Sequence, residues 1–302
     1  MTHARAAVLV LMVAAGSACS GEPQSVDGMR AESLVYVVHN QVFRITLDGN
    51  HRSSLGFVGF NRYRTGWPRV LPDGNVAVLG DEWGIIYPYV ARPGGQFEKV
   101  GETNVMVHDS LSGATIEGKS HLIMTVTPWL ATKGSIQALD LDDNSSDQVA
   151  SQRAGQLLHP SPYDDGRVLA VRTHSIGSNI EVIDVSSRTG TNQPPLILAQ
   201  VKWPWLATQP VRLPDGRVAF LRIAADDEDP LPAGDVYFIE PDGTVVESEF
   251  MSIIALTVVG NHLVMEAAGM DGVSDLVATD LKNKPFNITR TPYISEHLTW
   301  SD

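Results

Sequence analysis

The chain has 302 residues, a formal net charge of −13, 43 % hydrophobic and 19 % charged residues. That length allows one large all-β domain or two smaller ones, and the apolar content is too high for a disordered chain. The acidic balance argues against a body that binds nucleic acid or anionic lipid, since both need a basic face.

The chain opens with MTHARAAVLVLMVAAGSACSG. A positive start at Arg5, an apolar run over 6–15 and then small residues form an export signal. The run is about half the ~20 residues that a membrane-spanning helix needs. Cys19 is the single cysteine, so no internal disulfide exists. The stretch resembles a bacterial lipobox: Gly16, Ser17 and Ala18 fill the small positions before a cysteine that becomes the lipidated N-terminus. Gly16 stands where an aliphatic residue is usual. Ordinary cleavage after Ala18 is the other reading, because Gly-x-Ala also satisfies the small-residue rule. Polar residues 20–31 then read as a tether. The expected division is signal peptide 1–18, lipidated cysteine and tether 19–32, and folded body 33–302.

The body begins with two apolar runs, SLVYVV from Ser33 and QVFRITLDG from Gln41. A repeated unit follows. WPRVLPDGNVAVL from Trp67, HPSPYDDGRVLAV from His159 and QPVRLPDGRVAFL from Gln209 each carry a proline, an Asp-Gly turn and an apolar strand. Asp-Gly between such runs is a strong hairpin signal, because glycine accepts the positive φ of a tight turn. Weaker copies are IEGKSHLIMTV from Ile116 and VVGNHLVMEA from Val258. The turn glycines Gly74, Gly118, Gly166, Gly216 and Gly260 lie 44 to 50 residues apart. After them come alternating strands from Ser135, Asn179, Asp235 and Ser274, and then a less regular fourth strand. Four strands in about 45 residues is the size of one propeller blade. Residues 33–49 supply second and third strands with no first, and residues 296–302 (EHLTWSD) a first strand with nothing after it. Joined, they make a sixth blade and leave no open edge.

The recurring PxxxPDG(R/N)VA(F/V) and the terminal ITRTPYISEHLTWSD resemble the TolB-like propeller repeat, whose units read PxWSPDGxxIAF. Trp300, Ser301 and Asp302 match it directly. Two clear units depart from it: Trp-Ser is replaced by Arg69-Val70-Leu71 and Val211-Arg212-Leu213. The resemblance runs from about Ser33 onward and implies the propeller fold, not the role of TolB. No counterpart of the separate N-terminal domain of TolB is expected from the residues before Ser33.

Innermost strands of a propeller converge on a central channel, so polar residues at one register of the repeat can meet there. Seven residues before the turn glycines stand Trp67, His159, Gln209 and Ile253, with Glu296 or His297 in the terminal copy and His108 and Asp109 near the same place. Histidines around one axis could hold a divalent cation, an arrangement similar to the metal site of oligogalacturonate lyases. The leading expectation is instead a hydrated channel with no metal and no cofactor. Acidic groups at 140–147 and 226–229 lack the spacing of a calcium loop and read as strand connections. Trp129, Trp203 and Trp205 lie at strand ends, with burial between blades the expected fate. No Gly-x-Ser-x-Gly elbow and no phosphate-binding glycine loop occurs. The reading that results is an envelope lipoprotein, periplasmic or at the cell surface. Its lipid would hold it to a membrane, and its propeller would be a non-enzymatic scaffold for a protein or other ligand. A metal-dependent carbohydrate lyase using His108, His159, Gln209 and His297 is the alternative.

Overall fold

A computed structural model describes residues 33 to 288, apart from the segments 39–40, 48, 50–51, 59–64, 83–84, 93–94, 102–104, 129–134, 151–155, 165, 187–193, 226–232, 269–273 and 283–284. All regular structure described is β. Six antiparallel sheets follow one another along the chain. Blade one holds β1 (Ser33–Val38), β2 (Gln41–Thr46) and β3 (Arg52–Phe57). Blade two holds β4 (Thr65–Val70), β5 (Val76–Glu82), β6 (Ile85–Ala91) and β7 (Phe97–Lys99). Blade three is β8 (Val105–Ile116), β9 (Lys119–Pro128), β10 (Ser135–Asp140) and β11 (Ser146–Ala150). Blade four is β12 (Gln156–Asp164), β13 (Arg167–His174), β14 (Gly177–Asp184) and β15 (Leu196–Lys202). Blade five is β16 (Trp205–Arg212), β17 (Val218–Ala224), β18 (Asp235–Ile239) and β19 (Val245–Glu247). Blade six is β20 (Ile253–Val259), β21 (His262–Ala268), β22 (Ser274–Thr279) and β23 (Phe286–Asn287). Each sheet is a simple meander, and the fourth strands run from two residues in β23 to seven in β15.

The Asp-Gly turns do what their residues require. Gly74 and Gly216 sit at φ 84° and 93°, where a Cβ is disfavoured. In both turns the aspartate carboxylate accepts the N–H two residues on: Asn75 to Asp73 at 3.0 Å and Arg217 to Asp215 at 3.1 Å. The third Pro-Asp-Gly, between β18 and β19, repeats the device with Thr244 N–H on Asp242 at 2.9 Å. These aspartates serve the backbone.

Alternation along each strand sends successive side chains to opposite faces, so one sheet packs against both neighbours. In β17, Ala219 and Leu221 join a core with Leu256, Leu263 and Met265 of blade six. Val218 and Phe220 of the same strand join Leu169, Val171 and Ile180 of blade four. Further apolar clusters lie between blades one and two, two and three, and three and four. A sixth closes the circle: Leu34, Tyr36 and Ile45 of blade one pack on Val264, Leu276 and Ala278 of blade six. Each fully buried side chain of this size contributes about 1.5–3 kcal/mol. Apolar packing therefore joins blade one to blade six. The expected closing strand, residues 296–302, lies outside the described residues, as do the export segment and tether.

Candidate functional site

The first strand of each described four-stranded blade is broken at a shared place, and β12 is broken a second time between Pro162 and Asp164. The register of the first strand against the second shifts between Gly66 and Arg69 in β4, and between Val107 and Leu111 in β8. The same happens between Leu158 and Ser161 in β12, Thr208 and Val211 in β16, and Ile253 and Ala255 in β20. An extra residue in one strand bends it and re-aims a side chain. The aligned residues Trp67, His108, His159 and Gln209 all fall inside these bulges. In blade six the bulged residue is Ile254, one later than the aligned Ile253.

His159 and Gln209 occupy the left-handed region, at φ 52° and 50°, a conformation costing about 1–3 kcal/mol in a residue other than glycine. At Gln209 the return is visible. Its Nε2–H donates to Ile254 O at 2.8 Å, and its Oε1 accepts Leu256 N–H at 3.1 Å. One amide side chain thus supplies a donor and an acceptor to the backbone of β20. Gln209 is a brace between blades five and six. His159 stands partly buried at the matching place in β12. The side chains of Trp67 and His108 are outside the described residues, as are Cys19, Glu296 and His297. The structure therefore brings Gln209 and His159 to one register of neighbouring strands. Among the described residues no group of three or more His, Cys, Asp or Glu is placed to hold a metal.

Other polar side chains cross between first strands in the same manner. Arg69 Nε–H donates to Leu111 O at 2.7 Å, linking blades two and three. Ser161 Oγ–H donates to Pro210 O, and Arg212 Nη1–H donates back to Tyr163 O at 2.6 Å, linking blades four and five. First strands of different blades cannot form a ladder with one another, so side chains satisfy the carbonyls that face the axis.

Toward the hairpin end of these strands lies a cavity of about 480 Å³, walled by Arg69, Ser161, Tyr163, Arg212, Thr257 and Val258 among others. That volume falls within the range of small-molecule pockets. Arg69 is 6 % exposed, and burial pulls its guanidinium down to about 10, still protonated at neutral pH. Arg212 lies over the Tyr163 ring at 4.5 Å, with Arg167 at 5.1 Å from the same ring. Asp164 pairs with Arg167 and lies 3.8 Å from Arg212 Nη1. Neither arginine was a candidate on sequence grounds. Their one signal was negative: both stand where two units abandon the Trp-Ser of the repeat.

Two other expectations meet the structure differently. The 140–147 acidic group is a strand connection: Asp140 accepts Asp142 N–H at 2.9 Å and Lys119 Nζ–H at 3.2 Å, and these contacts hold its carboxyl below the usual range. The 226–229 group lies outside the described residues. Trp203 and Trp205, expected between blades, are 59 % and 39 % exposed. Trp203 lies in the two-residue turn from β15 to β16 and Trp205 opens β16, where Arg222 stacks on it at 4.6 Å.

No family model matches the chain, and no curated protein matches it in sequence. Solved structures match its fold. TolB from Agrobacterium tumefaciens is 17 % identical with a TM-score of 0.54, over 72 % of this chain and 76 % of that one. An oligogalacturonate lyase in complex with manganese is 14 % identical with a TM-score of 0.56, over 87 % and 75 %. TolB from Acinetobacter baumannii is 16 % identical with a TM-score of 0.52, over 73 % of this chain and 53 % of that one. Six sheets in a closed ring, together with these likenesses, make the chain a six-bladed β-propeller with the fold of TolB.

Proposed function

We propose that this propeller is an exported, non-enzymatic binding scaffold of the cell envelope, held to a membrane by a lipid on Cys19 and spaced from it by the tether at 20–31. One observation carries the reading. At the axis, polar side chains are spent as braces between blades, while a preformed cavity stands beside them at the hairpin end. A scaffold needs this combination of a rigid hub and an open recess.

The lyase reading draws support from the fold of the manganese-bound lyase and from His159 at an axial bulge. Against it stands Gln209. Both ends of its amide already pair with the backbone of β20, so ligating a cation would break the brace between blades five and six. Elemental analysis of protein purified from its own membrane separates the readings. The scaffold predicts no stoichiometric transition metal and no cleavage of oligogalacturonate. Stoichiometric manganese that disappears in His159→Ala would overturn it. Palmitate labelling of the wild type and not of Cys19→Ala tests the anchor, and unlabelled wild type refutes it.

A further inference from the structure

We infer that the hairpin end of the channel is a carboxylate-binding site, with Arg69 and Arg212 as its cationic walls. The inference names a ligand class for the recess in the proposed scaffold and rests on that reading. The described lining holds two arginines and no carboxylate, in a protein whose net charge is −13. Chance placement in so acidic a chain favours the opposite. Arg69 is almost wholly buried, and its guanidinium is fixed against the wall by the bond from Nε to Leu111 O. Arg212 is oriented twice, by the Tyr163 carbonyl and by the ring beneath it. The nearby Asp164 is shared between Arg167 and Arg212, and Asp184 stands opposite Arg167 across the β13–β14 pair, so Arg167 is neutralised from its own blade. Planar guanidinium forks match carboxylates in particular. The hydroxyl residues Ser161 and Thr257 and the apolar Val211, Leu213 and Val258 complete a wall suited to a small organic acid.

Two sources offer this chemistry, a free small acid and the C-terminus of a peptide. Isothermal titration of the full chain with glutarate and with triglycine, triglycinamide as control, tells them apart. Tighter binding of glutarate assigns a free acid; tighter binding of triglycine, lost in the amide, assigns a peptide terminus. In either case Arg212→Gln weakens binding at least tenfold, and Arg212→Lys weakens it less. Arg222→Gln, in β17 and outside the cavity lining, changes nothing. Arg212 is chosen because Arg69 also braces blade three, and Thr257→Val gives a second, fold-neutral variant with a severalfold loss. No binding of either acid at millimolar concentration overturns the site, as does an Arg212→Gln protein that binds as wild type does. Those failures leave the scaffold reading standing. Proton NMR of the probe reads the other risk, because turnover would refute the scaffold while keeping the site.

Discussion

The two levels of the channel use polar side chains for different ends. At the bulge level, Gln209 repairs the backbone of the next blade, and its value is structural. At the hairpin level, Arg69 and Arg212 also reach neighbouring carbonyls but line an open cavity. The difference shows that position on the axis does not by itself mark a ligand site. A polar residue at an aligned, bulged register is first a candidate for holding the ring. A charged residue where the repeat breaks its own pattern is the better candidate for binding.

The comparison can be broken at the ring first. Deleting residues 296–302 removes the strand expected beside β1, whose Leu34, Val35 and Val37 are fully buried. The truncated chain should lose more stability than any single substitution and melt less cooperatively; unchanged melting would show that the apolar seam between blades one and six suffices. Gln209→Leu strips a donor and an acceptor from β20 and should cost about 2–4 kcal/mol in denaturant unfolding. Gln209→Glu should recover part of this, because a carboxylate still accepts Leu256 N–H. Arg212→Gln, at a half-buried side chain, should cost less than about 1 kcal/mol. The smallest effect lies at the turns. The Arg217 side chain holds the Asp215 carboxyl below its ordinary range. That contribution is present at neutral pH and fades as pH falls below about 4, through the folded value. The aspartate is half exposed, so less than about 1 kcal/mol is at stake. Unfolding midpoints of wild type and Asp215→Asn should converge in acid.

Much of the ring was legible because its signals are local. Asp-Gly turns, period-two strands and a spacing of 44 to 50 residues need no knowledge of distant contacts. The register of Trp67, His159 and Gln209 was legible too, and each falls in a bulge. What those bulges do was not. The partners of Gln209 are backbone atoms of another blade, and no residue type at 254 or 256 announces them. Arg69 and Arg212 appeared as blemishes in a repeat, since only closure of the ring brings two such distant positions to one cavity. Trp203 and Trp205 were misjudged because large aromatics are usually buried, and a two-residue turn outranks that tendency.

The division of labour between the two levels is tested most directly by thermal melts of wild type, Gln209→Leu and Arg212→Gln, each with and without glutarate. Gln209→Leu should melt lower than wild type and keep the full upward shift with glutarate. Arg212→Gln should melt near wild type and lose that shift. If glutarate stabilises Arg212→Gln as it does wild type, or if the two variants lose stability and ligand response together, the separation of brace from binding site is wrong.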